Sequence, residues 1–177
     1  MEVQIAGLRE SALNLFQTRQ YLCTEAVVIA LNKGLNGGLT ESQSLAMAAP
    51  FCIALGQSGC ICGALSGAVM ASGLFLGQEN TYRRRNEMRL VAGQLHEAFR
   101  TANGSTCCRV LTKNVKDDRK AHFNQCAALT AESTELAARL ILHERSGLLK
   151  NANMSFLAKR SSRIGGALSR LFRYLAG

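Results

Sequence analysis

From Ser42 to Gln78 the chain carries no charged residue. Such a run raises the question of a segment enclosed by protein or by lipid. Within it, residues 59–77 read GCICGALSGAVMASGLFLG, long enough to span a bilayer if fully helical. Gly59, Gly63 and Gly67 also fall at the GxxxG spacing that lets helices approach closely. The stretch is rich in Gly, Ala and Ser rather than Leu, Ile and Phe, which favours a helix buried on all sides of a bundle over one facing lipid. The remaining composition agrees. Strand-forming residues are sparse, there is one proline and no tryptophan, and 47% of the 177 residues are hydrophobic. That predicts an all-α chain, a compact bundle with enough apolar mass for one core.

About six helices are expected, over residues 3–16, 23–33, 40–49, 62–76, 80–102 and 121–143. Gly34 to Gly38, GLNGG, stops the second, and Thr40 with Gln43 forms a capping pair for the third. FCIALGQSG before the fourth reads as an irregular turn, CCRVL as one helical turn, and TKNVKDDRK as a polar loop. Residues 144–154 look like a linker. Beyond them Ile164, Leu168, Leu171, Phe172 and Leu175 recur at helical spacing with arginines alongside, a basic amphipathic helix. The expected division is a helical domain over 1–145 and a linker with a tail helix over 146–177.

The formal charge is +9, and the segment from Lys150 to Gly177 holds six cations and no acid. Such a tail suits docking on a membrane surface or an acidic partner, or packing on its own domain or on a second copy in a homodimer. Nucleic acid is a poor fit, since no recognition motif is present and aromatics are 6% of the chain. The N-terminus has no apolar run of a secretory signal, and seven cysteines are an odd number. The expected setting is the cytoplasm, where thiols stay reduced, with membrane association through the tail as an addition.

No Cys-x-x-Cys pair, nucleophile elbow or phosphate loop occurs, so no acid–base or substrate site of an enzyme is visible. The cysteines speak through position. Cys23, Cys62, Cys108 and Cys126 each stand at or just before an expected helical segment, where unpaired backbone N–H groups favour a thiolate. Brought to one end of a bundle, they would suit a four-thiolate metal cluster or a pair of redox disulfides. The plainer reading is that each is a small buried hydrophobe. His122, four residues before Cys126, shares its helix face, as a neighbour of that site or as a solvated histidine.

Cys23 in YLCTEAVVIAL, the run CGALSG from Cys62 to Gly67, Cys108 in CCRVLTK and Cys126 in NQCAALTAESTELA together resemble the C_GCAxxG_C_C family of redox-active proteins. The resemblance covers roughly residues 12–142 and selects Cys108 over Cys107. It implies a small helical protein with a redox or metal-binding role, related to the cysteine domain of split-Soret cytochromes, in which cysteines hold an iron–sulfur cluster. Carried onto this chain, the cofactor or metal ligands are Cys23, Cys62, Cys108 and Cys126. The expected function is electron transfer to a redox partner protein, through an iron–sulfur cluster, a two-iron one first, or through dithiol–disulfide cycling. The alternative is a non-catalytic metal-binding or scaffold module recruited by its basic tail.

Overall fold

The computed structural model of the protein describes residues 1–78 and 82–176. In chain order the helices are α1 (Glu2–Gln17), α2 (Cys23–Gly34), α3 (Glu41–Ala48), α4 (Cys52–Gln57), α5 (Gly63–Leu76), α6 (Arg85–Asn103), α7 (Cys108–Leu111), α8 (Arg119–Glu144), α9 (Met154–Ala158) and α10 (Arg163–Ala176). No strand occurs among the described residues. The six expected helices are all there, though the start placed at residue 80 lies outside the described residues.

Local chemistry sets the helix ends. Thr40 Oγ1 accepts the Gln43 N–H at 3.2 Å while Gln43 Oε1 accepts the Thr40 N–H at 2.9 Å, the reciprocal cap that starts α3. Asp118 accepts from the N–H groups of Lys120 and Ala121. That cap starts α8 inside the stretch read as a polar loop. Gly104 ends α6 in the left-handed conformation, at φ 76°.

The core forms around α2, which packs on α1, α5 and α8. Val27 and Leu31 of α2 share one buried cluster with Leu8, Leu65, Phe99 and Ile141, while Ile29 belongs to a second with Phe16, Tyr21 and Ala127. The uncharged run supplies α5, whose first half is enclosed. A Cβ on Gly67 would stand 2.8 Å from the Thr24 carbonyl oxygen and 2.9 Å from Val27 Cβ, so glycine there lets α5 lie directly on α2. No helix among the described residues is long and apolar enough to cross a membrane.

The stretch read as a linker packs back on the bundle. Leu157 is buried against the glycines Gly7 and Gly34, and the Asn153 N–H donates to the Gly34 carbonyl at 2.9 Å. The tail helix is pinned as well. Asn14 and Ser161 exchange two hydrogen bonds. Gly166 lies against Thr18. Arg173 donates to Tyr21 Oη at 2.6 Å and to Glu41 Oε1 at 3.0 Å. The apolar stripe, from Ile164 to Leu175, nonetheless stays exposed.

Candidate functional site

Cys23, Cys62, Cys108 and Cys126 all line one cavity of about 460 Å³. Cys23 is the first residue of α2, Cys62 is the N-cap of α5, and Cys108 is the first residue of α7. Cys126 departs from the expectation of a helix start. Because Asp118 caps α8 early, Cys126 sits two turns inside it, on the face that also turns His122 to the cavity.

Two chain segments zip together to deliver Cys62 and Cys108. The Cys62 N–H donates to the Thr106 carbonyl at 2.8 Å, and the Arg109 N–H to the Gly59 carbonyl at 3.1 Å. Ile61 and Cys107 form an isolated antiparallel bridge. Cys107 is held in this bridge, its thiol donating to the Gly59 carbonyl at 3.2 Å, while Cys108 opens α7 and lines the cavity. Cys60 is exposed.

The glycine of the C-G-A-x-x-G run has a spatial reason. A Cβ on Gly63 would lie 2.6 Å from Cys23 Sγ and 3.0 Å from the Phe51 carbonyl oxygen. Only glycine lets the start of α5 sit this close to the Cys23 sulfur.

Cys52 does not line the cavity but is buried beside Cys23, and nothing in its spacing in the sequence ties it to Cys23. The turn of α4 after it runs left-handed: φ is 51° at Ile53, 55° at Ala54, 55° at Leu55 and 61° at Gly56. Three of those are not glycine, at about 1–2 kcal/mol each. This conformation places Ile53 and Ala54 on the cavity wall and brings the Ile53 N–H and the Cys52 thiol to the Cys23 sulfur. The Thr24 N–H points there too. The Cys52 thiol also donates to the Ala48 carbonyl, 3.7 Å away.

These contacts separate the thiols. The hydrogen bond from Cys52, helped by the Ile53 and Thr24 N–H groups, holds the Cys23 thiol below its ordinary range against the cost of burial. The same contact raises Cys52. Burial raises Cys62 and Cys108, and with the charges of Cys108 and Cys62 pushes Cys126 up to about 12. Cys23 alone of these five thiols is made more acidic while Cys52, Cys62, Cys108 and Cys126 are made less so, an ordering that divides attacking from resolving sulfur.

The donor chemistry also suits a thiolate-bound iron–sulfur cluster, with four thiols on one cavity. Among the described residues no three Cys, His, Asp or Glu side chains already stand grouped to hold a metal ion.

Comparison with known proteins gives one match. The sequence model of the family described as "Putative redox-active protein (C_GCAxxG_C_C)" matches residues 21–140. No curated protein matches the chain, and no solved structure does.

Proposed function

The chain belongs to the C_GCAxxG_C_C family of redox-active proteins, and from that premise we propose that it works by thiol–disulfide exchange in the cysteine-lined cavity. The observation that carries the reading is a Cys23 sulfur that stands on the cavity wall and has the buried Cys52 thiol as its hydrogen-bond donor from behind. Cys23, as thiolate, attacks one sulfur of a substrate disulfide; that S–S bond breaks and one substrate thiolate leaves. Cys52 gives its proton to water and attacks the Cys23 sulfur, releasing the second thiolate. The substrate gains two electrons, and Cys23 and Cys52 are oxidised to a disulfide. A reducing dithiol runs the same steps backwards. Cys62, Cys108 and Cys126 line the same cavity for onward exchange.

The test is treatment of the anaerobically purified protein with 2,2′-dithiodipyridine, followed by disulfide mapping. A Cys23–Cys52 bond is expected, absent in Cys23→Ser. A Cys23 that enters no disulfide overturns the reading.

A second reading is favoured by the presence of all four motif cysteines on one cavity. There Cys23, Cys62, Cys108 and Cys126 would hold a two-iron cluster that supplies one-electron transfer to a partner protein. Iron and acid-labile sulfide in matched amounts, lost in Cys62→Ser and kept in Cys52→Ser, would establish it in place of the first. The scaffold alternative survives only if both assays are negative.

A further inference from the structure

A second cavity, of about 570 Å³, adjoins the first, and Phe16, Leu22, His122 and Cys126 line both. Three arginines converge on it from separate elements: Arg19 after α1, Arg119 at the start of α8 and Arg170 from α10. None of them is in an ion pair among the described residues. Arg19 lies 5.2 Å over the Phe123 ring, which stacks on Phe16 at 5.1 Å. Glu25 is the one acid on the wall, and its carboxylate accepts the Leu22 N–H at 2.8 Å. The cavity thus joins an aromatic floor to a rim of positive charge that exceeds its negative charge. Like charges held around one space repel, and an anion between them relieves the repulsion.

We propose that this second cavity seats a small anionic disulfide, its acidic groups held by Arg19, Arg119 and Arg170, its apolar body on Phe16 and Phe123, and its S–S bond directed into the cysteine cavity. The proposal deepens the thiol-exchange reading and rests on it for the choice of a disulfide. The arginines alone specify an anion; the shared wall at Cys126 and His122 turns the anion's far end toward the thiols. Because Arg170 comes from α10, docking of the tail completes the site.

The test uses Cys60→Ser protein, which lacks the exposed thiol, and two probes. One is the anionic 5,5′-dithiobis(2-nitrobenzoate) and the other the neutral 2,2′-dithiodipyridine. Arg119→Gln/Arg170→Gln is expected to slow the anionic probe about tenfold and the neutral one by less than about twofold, and Arg119→Lys/Arg170→Lys to restore most of the anionic rate. Equal effects on both probes overturn the site and leave thiol exchange standing. Calorimetric titration with the non-exchanging dianion bibenzyl-4,4′-dicarboxylate separates the two ideas from the other side. Binding that weakens about tenfold in the glutamine variant supports the anion site even if no cysteine reacts. No binding to the unsubstituted arginines overturns it.

A different observation carries a second inference. Gly166 and Arg173 hold α10 to the body. At 3.6 residues per turn they lie on the side opposite Ile164, Leu168, Leu171 and Leu175. Those residues and Phe172 are 53% to 76% exposed. Arg163 lies toward the flank, and no acid lies between Lys150 and Gly177. A second copy on this face would set one acid-free basic segment against another, whereas an anionic bilayer offers both apolar depth and opposite charge. We infer that α10 docks the protein on an anionic lipid surface. Co-sedimentation is expected with vesicles of phosphatidylcholine and phosphatidylglycerol, to weaken with salt, and to be lost in Leu168→Ser/Leu171→Ser/Phe172→Ser, whose melting temperature should stay unchanged. Equal binding to pure phosphatidylcholine, no binding, or a dimer that the triple variant dissociates would each overturn the inference.

Discussion

Replacing Gly63 by alanine adds one carbon at the point where α5 meets Cys23. In the present packing that carbon falls 2.6 Å from Cys23 Sγ, 2.7 Å from Thr24 Oγ1 and 3.0 Å from the Phe51 carbonyl oxygen. None of the three is a free chain end: one is backbone and two belong to buried or half-buried residues of the first turn of α2. Overpacking of this kind costs about 1–3 kcal/mol. Alanine returns up to about 1 kcal/mol through its better helix propensity. With the full return the net loss is about 0–2 kcal/mol, or a fall in Tm of up to roughly 8 °C for a chain of this size. Two alanine variants of the same helix bracket the result. Gly67→Ala meets the Thr24 carbonyl at 2.8 Å and should destabilise similarly while leaving the Cys23 contact in place. Gly73→Ala meets nothing within 4 Å and should stabilise by about 0.5–1 kcal/mol. Melting curves give the stabilities, and alkylation of Cys23 by iodoacetamide, followed by mass spectrometry, gives the local effect. Gly63→Ala alone should change the Cys23 rate. If Gly63→Ala instead melts as high as Gly73→Ala with Cys23 alkylated as before, the close approach assigned to this glycine is wrong.

Three further outcomes follow from the same contacts. Cys52→Ala removes the thiol that donates to Cys23, so the Cys23 thiol should titrate higher and alkylate more slowly at neutral pH; an unchanged pH–rate profile sinks the contact. Glu41 accepts from Lys33, Tyr21 and Arg173, and although burial opposes it these bonds hold its carboxyl down to about 2, from an ordinary 4.5. A lowered carboxyl stabilises the fold above its unfolded value and loses that contribution as pH falls from about 4.5 toward about 2; with the side chain partly exposed, roughly 1 kcal/mol is at stake. Urea unfolding of Glu41→Gln should show that deficit near neutrality and none at the acid end, and parallel curves at every pH would refute it. Phe99 is fully buried, so Phe99→Ala should cost about 3–5 kcal/mol in urea unfolding, whereas Leu90→Ala, at a side chain 68% exposed, should stay within about 0.5 kcal/mol.

Most of the helices were legible in the sequence because their signals are local. The Thr40–Gln43 cap, the GLNGG stop and the amphipathic period of the tail act over a few residues, and the structure carries each of them. The early start of α8 at Asp118 was equally local but hidden among charges that read as loop. The burial of α5 followed from composition, since an uncharged helix of fourteen residues has nowhere to go but a protein interior or a membrane; the earlier part of the uncharged run stays largely at the surface, with Met47, Ile53 and Leu55 exposed. The four motif cysteines were legible as a pattern, because the order Cys23, Cys62, Cys108, Cys126 with CGALSG is a linear feature.

What tertiary structure alone decided is which sulfur stands beside which. Cys52 reaches Cys23 through a left-handed turn that no residue preference announces, as Ile53, Ala54 and Leu55 all disfavour it. Cys108 rather than Cys107 faces the cavity because of the pairing of two segments far apart in the chain. The arginines Arg19, Arg119 and Arg170 meet around one cavity although the sequence scatters them over three regions. The outward stripe of α10 is likewise a tertiary outcome: its period is written in the sequence, but its direction depends on Gly166 and Arg173 finding Thr18, Tyr21 and Glu41 on the far side of the chain. Periodicity and capping depend on neighbours along the chain and can be read from it. Burial partners and the environment of a thiol depend on contacts between distant segments, and those exist only once the bundle has closed.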